Sequence, residues 1–398
     1  MVQQIAEGLA ALGHLVTVVT TDAVLSPGAR NPGVISVGDE LLNGVTVKRR
    51  PVARRAHRVI RILRKVLGRM RARRLLEWTT PIAAGPIGLG LALEVGRAAR
   101  VDDIVVGVGA PYLTFPMVDF STRCGNARAA YLPLLHLSAA DPRPSVLRAL
   151  RRAASVVALT DFERGWLVAN GVDGSRAGAI PPGCEVGDTT EGSPASARSQ
   201  LQVPERPTVG YIGRMAGYKG IGTLLKAMEL LWERHPEVNL LLAGGRAGWS
   251  AFDELLEQTR RVAGDRLVYL GAFDEAKKSL LYEACDVVAS PSREESFGIT
   301  TIEAWAASRP MVAGDIDVVR SLIRPGEDGE LVPVEDVAAW AEALEQLLVD
   351  DDRRTRLGSA GRERVEQEFT WPVVIHQWDE FLSRSIGESV GSTNVGSN

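Results

Sequence analysis

Short apolar runs alternate with helical patterns along most of this chain, and the alternation runs through two series. In the first half the runs are LVTVVTT, GVTVKRRP, DDIVVGVG, ARAAYLPLLH, SVVALT and AGAIPP. In the second half they are TVGYIGR, NLLLAGG, LVYLGAF, DVVASPS, RPMVAGD and GELVPV. Helical stretches such as Ile221–Arg234 and Ala251–Ala263 lie between them. A strand that is apolar throughout is buried on both faces, and strands separated by helices pair in parallel with the helices covering the sheet. Two such series predict an α/β protein with two Rossmann-like domains. The length of 398 residues agrees, since it exceeds what one hydrophobic core holds. Glu185–Arg206 is polar and rich in Ser, Thr, Gly and Pro, and reads as the break between them. The expected boundaries are a first domain over 1–185, a linker over 186–206 and a second domain over 207–372. A C-terminal helix over 373–386 is expected to return toward the first domain, and 387–398 reads as a disordered tail.

Composition narrows the classes. The chain is 45% apolar and 24% charged, with a net charge of −3, so charge does not point to nucleic acid. Three widely spaced cysteines, Cys124, Cys184 and Cys285, make neither a disulfide framework nor a zinc site and fit a reducing compartment. No apolar stretch is long enough to span a bilayer. Gln3, Gln4 and Glu7 interrupt any signal-peptide layout, so a cytoplasmic protein is expected.

Open parallel sheets bind ligands beyond the carboxyl ends of their strands, so residues just after each strand carry the most information. In VGYIGRMAGYKGIGTLL a strand ends at Gly210–Gly213, Arg214 follows, and Lys219-Gly220 opens a helix. Glycine lets backbone approach a ligand, the Arg fork suits phosphate oxygens, and Lys adds a movable point charge. The plainer reading is a βα turn with two solvated cations. In REESFGITTIEAW, Glu295 lies in the loop after a strand and a helix begins at Gly298–Thr301. Free N–H groups at a helix start favour an anion, and a carboxylate can accept from two neighbouring sugar hydroxyls. Glu303 lies one to two turns inside that helix. Here the plainer reading is a dipole-matching Glu followed by a solvated one.

Taken in order, GRMAGYKG, LLLAGG, YLGAF, ASPSREESFGITTIEAWA and DGELVPV resemble the retaining glycosyltransferases of family 4, also called group 1, which have the GT-B fold. The likeness covers nearly all of the second half and, more weakly, the first. The family pattern is Gly-Arg then Lys-Gly, followed by Glu-x7-Glu around Phe-Gly. The resemblance implies two domains facing a central cleft. It also implies metal-independent, retaining transfer of a hexose from a UDP- or GDP-sugar, with no cofactor beyond that co-substrate. By the same resemblance Arg214 and Lys219 bind the donor diphosphate, Glu295 contacts the donor sugar and Glu303 contacts the ribose. Gly298, Ile299 and Thr300 supply backbone contacts, and Gly213, Ser296 and Phe297 complete the donor site. His136, at the end of YLPLLH, matches a His that reaches the donor sugar. Gly183 and Glu185, in IPPGCEV, fall at a structural hinge.

The chain departs from the pattern in three places. Family members commonly carry a Gly-Gly pair and then a Glu where VAGDIDVVRSLI has Asp317-Val318 and Ser321. Asp315-Ile316-Asp317 spells a D-x-D, a metal-holding tripeptide of the other glycosyltransferase fold, but its flanks do not match that fold. The chain opens on a helix and then a strand, whereas relatives place a strand and a Gly-rich loop before that helix. The first domain is therefore expected to lack its first strand, and Met1 to lie inside a longer reading frame.

Between Glu40 and Glu77 there is no acidic residue, and KRRPVARRAHRVIRILRKVLGRMRARR alternates an apolar face with arginines. A basic helix over 54–74 reads as a surface for anionic membrane, which fits a lipid-linked or carbohydrate acceptor and a peripheral place at the inner membrane face, in polysaccharide or glycolipid synthesis. The segment lacks stacking aromatics, so nucleic acid is not expected. Three other readings stay open. A nucleotide-sugar epimerase of this fold needs an acid–base pair, and a phosphorylase needs a pyridoxal-phosphate lysine. A non-catalytic, membrane-associated relative follows if the short start is genuine.

Overall fold

The structure, a computed structural model, describes residues 1–24, 33–53, 88–109, 114–137, 144–187 and 193–387. The basic segment 54–74 and the tail from 388 lie outside the described residues.

In the first domain, β1 (Thr17–Thr21) pairs in parallel with β5 (Val45–Arg50), and β5 pairs antiparallel with β4 (Gly38–Leu42). The short strands β2 (Ala23–Val24) and β3 (Gly33–Val34) form a separate antiparallel pair. A second, wholly parallel sheet contains β6 (Ile104–Val108), β7 (Arg128–Leu132), β8 (Ser155–Ala158) and β9 (Ala177–Ala179), in chain order. The helices are α1 (Val2–Ala11), α2 (Leu89–Val101), α3 (Thr114–Arg123), α4 (Pro144–Arg152) and α5 (Asp161–Ala169). Strand β1 ends one sheet and β6 ends the other, and α2 packs against both. Strand β4 is exposed along its length and has no apolar run to announce it. It exists because Asn43-Gly44, both at positive φ, form the two-residue turn that suits a hairpin.

The second domain opens with α6 (Pro194–Leu201), inside the stretch read as a linker. Ser193 caps it, and Pro194 opens it. Buried Arg198 ties it to the domain through Asp286 at 2.7 Å, Glu205 at 2.6 Å and the Ala284 carbonyl at 3.0 Å. The connecting chain is therefore shorter than its polar composition suggests. Six parallel strands follow: β10 (Thr208–Ile212), β11 (Asn239–Ala243), β12 (Leu267–Gly271), β13 (Val287–Ser290), β14 (Met311–Gly314) and β15 (Gly329–Val332). Their order is β12-β11-β10-β13-β14-β15. Every residue of β10 and β11 is buried, as continuous apolar runs require. The covering helices are α7 (Ile221–Arg234), α8 (Phe252–Ala263), α9 (Lys278–Glu283), α10 (Ile299–Ala306), α11 (Asp317–Arg320), α12 (Val337–Val349) and α13 (Asp351–Arg364). Leu224, Leu231, Leu240, Leu242 and Trp340 form the centre of one face's core. The last helix, α14 (Trp371–Ile386), lies on the first domain, against α1.

Candidate functional site

The strand order of the six-stranded sheet reverses between β10 and β13, which are its first and fourth strands in sequence. Connections leave that point toward opposite faces, and the loops beyond the two strand ends part to form a crevice. The loop after β10 carries Gly213, Arg214 and Lys219. The loop after β13 carries Glu295 and Ser296. Glycines lock the loops together. The left-handed Gly220, at φ +69°, lies so close to the Pro291 carbonyl that a Cβ would sit 1.8 Å from its oxygen. Beside it the Arg293 amide donates to the Tyr218 carbonyl at 2.9 Å. On the other side Gly244 leaves no room for a Cβ against the Gly213 carbonyl.

Across this crevice the Lys219 ammonium meets a Glu295 carboxylate oxygen at 2.6 Å. Their side chains are 15% and 12% exposed. A pair this sheltered is screened little by water, and each charge holds the other in place. Arg214 is exposed. It donates to the Tyr218 hydroxyl at 2.8 Å, while its carbonyl accepts from the Tyr211 hydroxyl at 2.9 Å. Gly298 sits at φ +96°, a left-handed entry into α10 that leaves the first amides of that helix facing the crevice end of the sheet.

Glu303, one turn inside α10, is not a solvated helix residue. Tyr282 donates its hydroxyl to it at 2.6 Å, and Lys278 pairs with it at 2.7 Å. Burial opposes the charge on Lys278, but Glu275 and Glu303 outweigh it and hold its pKa above the ordinary value. Burial, reinforced by the charge on Glu303, pushes the Tyr282 phenol well up, so it stays a donor. The sequence reading missed both residues. Their signal is the four-residue spacing within KSLLY, which puts them on one face of α9.

The remaining candidates divide. Ile299 and Thr300 open α10, with Ile299 exposed and the Thr300 hydroxyl 3.4 Å from the Ile212 carbonyl at the end of β10. Phe297 is 3% exposed and its ring packs edge-on against Phe369, so its side chain is core and only its backbone is left for a ligand. His136 is exposed beyond β7, and among the described residues no hydrogen bond joins it to Arg214, Lys219 or Glu295. Asp315 and Asp317 are both engaged by Arg320, each at 2.9 Å. Among the described residues no group of three or more His, Cys, Asp or Glu is arranged to hold a metal.

Residues 194–364 match the family model described as glycosyl transferases group 1. The chain is 32% identical to a D-inositol 3-phosphate glycosyltransferase of Corynebacterium aurimucosum, covering 51% of this chain and 50% of that protein. It is 36% identical to a phosphatidyl-myo-inositol mannosyltransferase of Mycobacterium leprae, covering 56% of each. The chain thus spans about half the length of the curated relatives it matches. In fold it is similar to sucrose-phosphate synthase from Thermosynechococcus elongatus, with a TM-score of 0.71 and 23% identity over 98% of this chain and 93% of that one. HepE of Anabaena, solved with UDP-glucose, gives a TM-score of 0.66 at 20% identity over 92% and 99%. The architecture is that of two-domain GT-B proteins, and residues 194–364 are similar in sequence to the group 1 glycosyl transferases.

Proposed function

We propose that this protein is a retaining glycosyltransferase that moves a hexose from a nucleotide diphosphate sugar to an acceptor hydroxyl. The observation that carries the reading is the Lys219–Glu295 pair, which bridges the strand-order reversal beside the left-handed start of α10. As the donor bond breaks, negative charge builds on the leaving diphosphate. Arg214, Lys219 and the amides after Gly298 are the groups available to stabilise it, and removing one such donor typically slows turnover by about 10²–10³-fold. Glu295, swinging from the ammonium toward the donor sugar, and Glu303, facing the ribose, would orient the two rings. This chemistry draws its positive charge from the protein and needs no metal.

The acceptor is read from the relatives, whose names specify inositol phosphate and phosphatidylinositol. An inositol-bearing or lipid-linked polyol is therefore the first class to test, with the protein acting at the cytoplasmic membrane face. No described helix is long and apolar enough to cross a membrane. The test is calorimetric titration of the full chain with UDP and GDP. Transfer assays then pair UDP-glucose, UDP-N-acetylglucosamine and GDP-mannose with inositol 3-phosphate or phosphatidylinositol vesicles. The expected result is binding of one diphosphate that Lys219→Ala weakens, and a product of unchanged anomeric configuration. Failure of both nucleotides to bind would overturn the reading.

A further inference from the structure

We infer that Glu163, a buried carboxylate at the start of α5, is a positioning residue that holds the loop carrying His136 in its working shape. The loop 133–137 leaves β7 through Leu134 at φ +55°, a left-handed conformation that a leucine adopts only when its surroundings impose it. Leu135 then turns inward to the core and His136 outward. What fixes the bend is Glu163. Its Oε1 accepts from the Leu135 amide at 3.0 Å, and its Oε2 accepts from the Leu159 amide at 2.7 Å. The Thr160 hydroxyl accepts from the Glu163 amide at 3.1 Å and caps the helix. Thr160-x-x-Glu163 is thus half of a capping box, but the acid does not return to its own cap residue. It reaches instead across to a second strand end.

The group is 1% exposed and, among the described residues, has no cation against it. Strands β8 and β9, which pack on α5, bring no charged side chain to it. On α5 itself Asp161 and Arg164 flank it, and the Arg164 guanidinium is given to the Ala177 and Gly174 carbonyls. The helix α11, also packed on α5, carries Asp317 and Arg320, which bond each other. On the tethered loop the titratable group is His136. Burial therefore dominates and pushes the Glu163 pKa up to about 7, against the two backbone donors. The ionised form satisfies both amides. The protonated form turns an O–H toward one of them and loosens that tether.

Two pH effects of opposite sign follow. The folded pKa lies above the ordinary value, so this group's contribution to stability is full below about pH 4.5 and is lost as pH rises through about 7. The loop's hold on His136 strengthens over that same rise. A purely structural carboxylate would move stability alone.

The kinetic arm of the test rests on the glycosyltransferase reading, and the spectroscopic arm does not. In the full chain, the amide proton resonances of Leu135 and Leu159 are followed by NMR from pH 5 to 9. They are expected to titrate together near pH 7, and Glu163→Gln is expected to abolish that titration. Glu163→Gln is also expected to lower kcat about tenfold and to flatten its rise through pH 7, while UDP affinity stays within twofold. Glu163→Asp, too short to reach both amides, is expected to fall between the two and serves if the amide variant does not fold. Independent titration of the two amides, or an unchanged kcat profile in Glu163→Gln, overturns the inference. Loss of nucleotide binding in the wild type would instead overturn the glycosyltransferase reading and leave the amide result standing.

Discussion

Glu303 and Lys278 separate two kinds of carboxylate partner. Glu303 is held by a buried phenol and an ammonium, and both contacts aim it rather than hide it. A hydrogen bond to a charged group contributes about 1.5–3 kcal/mol, so Glu303→Ala is expected to weaken nucleotide diphosphate binding roughly 10–150-fold. Lys278→Ala leaves the Tyr282 bond in place and removes a partly exposed ion pair, worth about 1 kcal/mol or less. It is expected to change affinity by no more than about fivefold. Calorimetry of both variants checks the contrast, and equal effects would show that the ammonium itself meets the ligand. At this scale the sequence was legible where a residue's place follows from a strand end. Arg214, Lys219 and Glu295 stand just after apolar runs, and topology then brings two of them within bonding distance. Lys278 sits in DEAKKSLLYEA, which reads as an ordinary charged helix, because its partner comes from a segment remote in sequence. Phe297 shows the opposite limit, since a residue inside a binding motif turned its ring into the core.

The elements were legible wherever burial on both faces leaves an unbroken apolar run. The twelve runs read as strands are β1, β5 and β6–β15, and Ile221–Arg234 is a helix over those same residues. Strand β4 was not read because it is exposed and depends on turn chemistry alone, and α6 was hidden by a composition that suits a loop. What the runs did not reveal is how loops are locked, and here glycine carries the fold. Gly220→Ala places a methyl group 1.8 Å from the Pro291 carbonyl in a backbone conformation that costs an L-residue about 1–2 kcal/mol before any collision. It is expected to destabilise the second domain by more than about 2 kcal/mol, read as a lower melting temperature, and to weaken nucleotide binding. Gly248→Ala provides the comparison, since that glycine shares a positive φ but has open space around it. The short helix α11 makes a different prediction. Because Arg320 occupies both acids of the D-x-D, a chelator is expected to leave transfer unchanged in the assay that detects it, and a loss restored by Mg²⁺ or Mn²⁺ would contradict the proposed chemistry.

At the scale of the molecule the chain passes between its domains twice, and the two passages bond to each other. The Cys184 amide donates to the Phe369 carbonyl at 2.8 Å, and a Cβ on Gly183 would meet the Trp371 ring at 2.6 Å. Helix α14 then clasps the first domain. Ile375 fills the space left by Gly8, Phe381 lies over Gly178, and His14 meets Asp379 at 2.7 Å. Such a clasp couples the domains through the packing of α14. Gly178→Val tests it. The new side chain begins 2.6 Å from the Phe381 ring, and overpacking of this kind typically costs about 1–3 kcal/mol. Because the strain falls between α14 and β9, it is expected to separate one calorimetric unfolding transition into two. The nucleotide raises only the transition of the domain that binds it, since a ligand stabilises only the unit whose native state holds it. UDP or GDP, whichever the full chain takes, should therefore shift one of the two transitions in Gly178→Val and the whole transition in the wild type. A single transition in the variant, shifted as a whole by nucleotide, would mean that the domains are coupled through the crossing passages and not through α14.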